Sequence, residues 1–224
     1  MFRYLRVTLA AVAALAIGLA AGPSAASEEL VDQANRVLEN MKAVADFDTF
    51  RGSIRGAKGV LVIPNLLKAG FFFALEGGNG VLLARNKSGE WSHPAFYTLG
   101  AASIGLQIGV QNAQVVFVIL TDAGLNAVID SKVKLGFDGS VSAGTFGRGI
   151  EGSITLGLGG DIVAFSTSMG AFFGVAFEGA VIDERADLNR DYYGADAATA
   201  RAILLDRTYA NVQANVLRRT LAGY

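Results

Sequence analysis

Between residues 28 and 45 apolar side chains return every three or four positions: Leu30, Ala34, Val37, Leu38, Met41, Val44 and Ala45. That spacing predicts an amphipathic helix from Glu28 to Ala45. Glu28 and Glu29 stand near its start, where the helix dipole favours acids. Residues 47–58 are shorter and mixed. Phe47, Phe50 and Ile54 share one face of a helical turn and Arg51, Arg55 and Lys58 another, while Gly52 and Gly56 weaken any helix there.

From Gly59 the period changes to two. Val60-Leu61-Val62-Ile63 is rich in β-branched residues and reads as a strand that stops at Pro64. Phe71 to Leu75 and Val81 to Ala84 flank Glu76-Gly77-Gly78-Asn79-Gly80, which reads as a hairpin loop. Alternation recurs in residues 104–110, 153–158, 163–166 and 173–178, and Val115 to Leu120 is continuously apolar, the mark of a strand buried on both faces. Thr121 or Asp122 is placed to cap a short helix bearing Leu125, Val128 and Ile129. Helical spacing returns at Ala200 to Leu205 and Val212 to Leu221.

In several strands one face carries large apolar residues and the other Gly, Ala, Ser or Thr. The large face makes a core, and the small face admits close approach and bending. The expected fold class is therefore α+β: a curled antiparallel sheet, barrel- or sandwich-like, flanked by N- and C-terminal helices.

The first residues add an address. Arg3 and Arg6 precede Val7 to Ala20, which carries no charge over 14 residues, and Ser24-Ala25-Ala26 follows Gly22 and Pro23. Charged, apolar and small segments in that order predict a secretory signal peptide over residues 1–26. The apolar stretch is short of the roughly 20 residues that span a bilayer as a helix. Residues 27–224 are then one domain, exported to the periplasm or secreted, and long enough to bury a sizeable core. Removing residues 1–26 takes away two of the 19 basic residues and none of the 20 acidic ones, leaving a net charge of −3. A mildly acidic chain is a poor general nucleic-acid binder.

Composition also narrows the chemistry. Without cysteine there is no disulfide, thiol nucleophile or lipid-modified cysteine. The single histidine, His93, stands before Pro94, where a packing or surface role is the ordinary one. There is no G-x-S-x-G elbow. Gly157-Leu158-Gly159-Gly160-Asp161 lacks the Lys-Ser/Thr of a phosphate loop, and Asp122-Ala123-Gly124-Leu125-Asn126 lacks most of a calcium loop. Glu76, Glu151 and Glu178 each sit beside a glycine at an apparent strand end, where solvated carboxylates are common. The sequence predicts no enzyme, no metal and no cofactor.

Several motifs occur in a specific order: AKGVLVIP (57–64), KAGFFFALEGGNGVLLAR (68–85), WSHPAFYTLGAASIGLQIG (91–109), KLGFDGSVSAGTFGR (134–148), DIVAFSTSMGAFFGVAFEG (161–179) and NRDYYG (189–194). The combination of WSxPAFY, G-x-Q-x-G and the late YYG resembles the SYLF lipid-binding domain family, and the export signal points to an exported bacterial branch of it. The resemblance implies a compact α+β domain that binds lipid, with no known catalytic centre. Eukaryotic members are associated with phosphoinositide membranes and some fungal members with actin. His93 falls on the variable position of WSxPAFY, so the resemblance gives it no role.

The expected function is peripheral binding of anionic phospholipid head groups, or of another envelope lipid. Arg51, Arg55, Lys58 and Lys68 are the candidate head-group ligands, with Phe47 and Phe50 as apolar side chains that dip into the interface. An acyl chain enclosed by the curled sheet is a second mode. A structural or protein-interaction module of the cell envelope is the alternative class, with a free sheet edge as its docking element.

Overall fold

A computed structural model describes residues 23–43, 47–70, 73–104, 109–130, 133–134, 143–146, 161–166 and 180–224. Within them the architecture is α+β. The helices are α1 (Pro23–Met41), α2 (Phe47–Gly56), α3 (Asp122–Ile129), α4 (Ala186–Tyr193), α5 (Ala200–Leu204) and α6 (Asn215–Ala222). A single 3₁₀ turn, Val212–Ala214, leads into α6. The strands are β1 (Gly59–Gly70), β2 (Phe73–Ala84), β3 (Ala95–Ile104), β4 (Gly109–Ile119), β5 (Val133–Lys134), β6 (Ala143–Phe146), β7 (Ile162–Ser166) and β8 (Val181–Glu184). They form one sheet in the order β5-β8-β3-β2-β1-β4-β7-β6. Every pairing is antiparallel except β6 with β7. Among the described residues the sheet is not closed.

Strand alternation sorts the central apolar residues onto two faces. Leu61, Ile63, Leu82, Tyr97, Leu99, Val115, Phe117 and Ile119 point to one, which α3 and α5 cover with Leu125, Val128, Ile203 and Leu204. Val60, Val62, Val81, Leu83, Phe96, Val116 and Val118 point to the other, beneath α1, α2, α4 and α6. The continuously apolar 115–119 run is thus buried on both faces, as its composition predicts. Burying each such Val, Leu or Ile contributes about 1.5–3 kcal/mol.

On the second face, α1 seats Ala34, Val37, Leu38 and Met41 of the expected stripe, and Val31 in place of Leu30, which is only partly buried. The helix begins at Pro23 and ends at Met41, earlier at both ends than Glu28 to Ala45. Proline suits a first turn, where its missing N–H would have no partner anyway. The ambiguous 47–58 stretch is helical up to Gly56, because Phe50 and Ile54, one turn apart, both find a core.

Two sequence expectations fail around one irregularity. β1 does not stop at Pro64. It runs on to Gly70 through a bulge, its register shifting between Ile63 and Leu66 against β4 and between Val62 and Leu67 against β2. Glu76-Gly77-Gly78-Asn79-Gly80 is not a hairpin loop either. It is the middle of β2, paired with β1 and β3. Its glycines are there for close approach: a Cβ on Gly78 would lie 2.4 Å from the backbone oxygen of Asn65, and one on Gly80 would lie 2.4 Å from that of Val62. The alternating segments expected at 105–108, 153–158 and 173–178 lie outside the described residues.

Candidate functional site

The end of the sheet where β1 begins, β2 ends and α6 packs gathers basic side chains from four parts of the chain. After α2 ends, Lys58 N–H donates to the oxygen of Ile119 at 2.8 Å, and Lys58's own oxygen accepts from Arg85 N–H at 2.8 Å. That fixes Lys58 between β4 and β2. The β2–β3 turn is tied by Asn86, whose N–H donates to the oxygen of Glu90 at 3.0 Å and whose Oδ1 accepts from Glu90 N–H at 2.8 Å. Lys87 and Ser88 are left exposed at its tip.

Arg85 braces this turn. Its Nη1 donates to the oxygen of Arg55 (2.7 Å), its Nε to that of Gly89 (3.1 Å), and its guanidinium lies 5.5 Å from the centre of the Trp91 ring. From α6, Arg218 donates through Nε and Nη2 to the oxygen of Trp91 at 3.1 and 2.9 Å, while Arg219 is exposed. Arg207 donates to the oxygen of Glu90 at 2.8 Å. Its backbone is left-handed, at φ 55°. That conformation costs an ordinary residue about 1–2 kcal/mol, which the guanidinium contact offsets.

Two open grooves flank the turn. One, of about 240 Å³, lies among Arg55, Lys58, Arg85 and Lys87. The other, of about 350 Å³, runs between Glu90, Trp91 and the Arg218 and Arg219 side of α6. Carboxylates temper the charge: Asp122 pairs with Lys58 at 3.7 Å, and Asn86 holds Glu90 at 3.0 Å. His93 stands behind the turn, half-buried, with Nδ1 accepting from Asn211 N–H at 3.2 Å. Burial, aided by Arg218 and Arg207, holds its pKa below the ordinary value.

The residues read from the sequence are only partly brought together. Arg55 and Lys58 line the first groove. Arg51 does not line it; its Nε donates to the backbone oxygen of Tyr224 at 3.2 Å, an oxygen that Arg55 Nε also reaches, at 2.8 Å. Lys68 sits ten residues along β1 from Lys58, roughly 30 Å away at a strand's rise per residue, opposite Glu76 and Gln111 in register. The four therefore do not form one patch, because Lys68 belongs to the strand and not to the α2 end.

Phe50 is not an interfacial wedge. It is 1% exposed, with Phe165 at 4.9 Å and Tyr224 at 5.3 Å between ring centres, since it is the core-facing residue of α2. Phe47 is partly buried, 5.9 Å from the Tyr224 ring. The arginines and lysine that complete the basic end, Arg85, Lys87, Arg207, Arg218 and Arg219, were not legible as a group. They come from two distant stretches that only the fold brings together. Among the described residues no cluster of His, Asp and Glu is arranged to hold a metal, and no helix is long and apolar enough to cross a membrane.

The sequence model of the Ysc84 family, described as "Las17-binding protein actin regulator", matches residues 100–224. "LAS seventeen-binding protein 3" of Saccharomyces cerevisiae is 38% identical over 157 residues, covering 69% of this chain and 34% of the yeast protein. "Protein YSC84" of the same organism is 37% identical over 171 residues, covering 75% and 36%. "SH3 domain-containing YSC84-like protein 1" of Homo sapiens is 32% identical over 172 residues, covering 76% and 50%. The matched stretch spans a third to a half of the length of these relatives. On this similarity and on the SYLF motifs, the chain belongs to the Ysc84, or SYLF, family.

Proposed function

We propose that this is an exported, non-catalytic lipid-binding protein of the periplasm or the extracellular space, a single SYLF domain that attaches peripherally to anionic phospholipid head groups. The observation that carries the reading is the open groove among Arg55, Lys58, Arg85 and Lys87. A basic residue near an anionic surface is worth about 1 kcal/mol, so this end supplies useful, salt-sensitive attachment without deep insertion. A surface mode is favoured over an enclosed acyl chain because both faces of β1, β2 and β4 are filled by packed side chains. A non-catalytic role is favoured because the one histidine gives its Nδ1 to a backbone N–H of the 205–213 loop.

Export rests on Arg3, Arg6, the uncharged 7–20 stretch and Ser24-Ala25-Ala26, the features of an exported bacterial branch. Cleavage after Ala26 trims the first turn of α1 and leaves Ser27, a residue suited to capping a helix, at its start.

The test is co-sedimentation with vesicles of neutral phosphatidylcholine, with and without anionic phosphatidylglycerol, at low and high salt. Binding to anionic vesicles alone, lost in salt and weakened by Lys58→Glu and Lys87→Glu, is the expected result. No binding to either vesicle would overturn the reading. A protein-interaction module of the cell envelope would then stand in its place, a reading favoured by the partner-binding names of the yeast relatives.

A further inference from the structure

The 3₁₀ turn that leads into the last helix carries the most exposed large apolar side chain among the described residues. Val212 is 83% exposed and Val216, four residues on, is 49% exposed. Val212 opens the 3₁₀ turn that leads into α6, and within α6 Arg219, three residues beyond Val216, falls on the same side and is also exposed. The opposite side is fixed: Ala214, Leu217, Leu221 and Tyr224 are buried against the sheet and α1. The two valines therefore cannot turn inward without dismantling that packing. They are held outward by the fold.

The charge beside them says what covers them. Arg218 and Arg219 on α6, with the Ser88–Trp91 turn, line the 350 Å³ groove beside this face, and Lys87 projects at the turn's tip. Asp32 borders the pair on its α1 side and the cations of α6 and of the turn on the other; an apolar pair with cations along one edge complements the acyl boundary and phosphate layer of an anionic bilayer. The start of α1 is tied to the same place, because Gln213 Nε2 donates to the oxygen of Glu28 at 3.1 Å and to Asp32 Oδ1 at 2.8 Å.

We propose that the exposed pair Val212, in the 3₁₀ turn, and Val216, in the first turn of α6, is the membrane-seating surface of this protein: the two valines enter the interface of an anionic bilayer while Arg219 and Lys87 lie at its phosphates. This rests on the head-group reading above and specifies which surface faces the lipid. It replaces Phe47 and Phe50 as the apolar contact.

The chain has no cysteine, so single labels are clean. Val212→Cys, Val216→Cys and, as a control on an exposed apolar residue of strand β8, Val181→Cys are labelled with an environment-sensitive fluorophore. The protein is used as recovered from the expressing cell, its N-terminus read by mass spectrometry. It is mixed with phosphatidylcholine–phosphatidylglycerol vesicles, with and without brominated acyl chains. The expected result is a blue shift and bromine quenching at 212 and 216 and neither at 181. Val216→Asp, at a position open enough to fold with a charge, should weaken vesicle affinity about tenfold, the worth of one buried valine.

If the protein binds anionic vesicles but the 212 and 216 labels stay aqueous, the seating surface is overturned and the head-group reading survives. Labels already shielded without vesicles, in a chain retaining residues 1–22, would mean that the chain's own N-terminal segment covers the face; that too overturns it. Absence of vesicle binding overturns both readings.

Discussion

Arg55 Nε and the backbone oxygen of Tyr224 lie 2.8 Å apart, and Arg51 Nε reaches the same oxygen at 3.2 Å. Two arginines one turn apart on α2 thus clasp the end of α6 over the Phe50–Tyr224 ring contact. On the proposed head-group binding, the arrangement separates stability from vesicle attachment. Arg51→Ala should cost about 1 kcal/mol, the net worth of a hydrogen bond, and lower Tm by a few degrees while leaving vesicle affinity nearly unchanged. Lys87→Ala, at the exposed turn tip, should do the reverse. Paired thermal melts and co-sedimentation check both; a large loss of vesicle binding in Arg51→Ala at intact Tm would return Arg51 to the lipid site.

The β1 bulge leaves no room above Gly78 and Gly80. With a Cβ 2.4 Å from a backbone oxygen in each case, Gly78→Ala and Gly80→Ala force strands apart. Each should destabilise by about 3 kcal/mol, the upper range for overpacking. Gly100→Ala, on neighbouring β3 with nothing within 4 Å of the added carbon, is the control and should be near neutral. Urea melts of the three variants decide; equal midpoints would show that β1 yields easily.

Why the sequence misleads at this point is physical. Glycine clusters report backbone freedom, and freedom is needed both in loops and where a strand crosses a bulge. Local composition does not say which. Pro64 compounds the error: a proline ends most strands, but a bulge in β1 lets this one sit inside the sheet. Where a signal is periodic and long it is legible. Ala34 to Met41 of the α1 stripe and the doubly buried 115–119 strand read correctly, Val31 takes the place of Leu30, and of the two cap candidates it is Thr121 that accepts from Gly124 N–H, at 3.0 Å. The candidate site was legible only through Arg55 and Lys58. Lys68 is adjacent in composition yet a strand's length away, and Arg218 and Lys87 are distant in sequence yet flank one turn.

Asn189 is a buried polar residue that joins three elements. Its Oδ1 accepts from Phe96 N–H at 2.8 Å, and its Nδ2 donates to Glu184 Oε1 at 2.8 Å, which also accepts from Ala200 N–H at 2.7 Å. It thereby links α4 to β3 and, through Glu184, to α5. Asn189→Leu strands the Phe96 N–H in the core and should cost about 2–3 kcal/mol, the desolvation penalty of an unpaired buried donor. Hydrogen exchange should show the Phe96 amide losing protection first. Unchanged protection there would mean that another acceptor takes over.

His93 gives the fold a pH dependence with a definite sign. Its ordinary pKa is 6.5, and in the folded chain burial, then Arg218 and Arg207, lower it. Below pH 6.5 the unfolded chain therefore binds the proton more readily than the folded one, and stability falls. The contribution is whole above 6.5, declines as pH drops toward the folded pKa, and is constant beneath that. The backbone of Asn211 acts the other way, and burial with the two arginines outweighs it. Asp187 acts in a separate, lower window. Its hydrogen bonds to Arg185 hold its carboxyl at about 2 against an ordinary 3.8, so its contribution is lost only between those values. Urea melts at pH 7.5, 6 and 5 should show a decline that His93→Asn, whose amide oxygen can keep the Asn211 contact, flattens. Since His93 is the only histidine, its ring proton titrates alone in the NMR spectrum. A midpoint at or above 6.5 would sink the argument; a lower one that rises when anionic vesicles are added would place His93 close enough to the basic end to sense the bound phosphate.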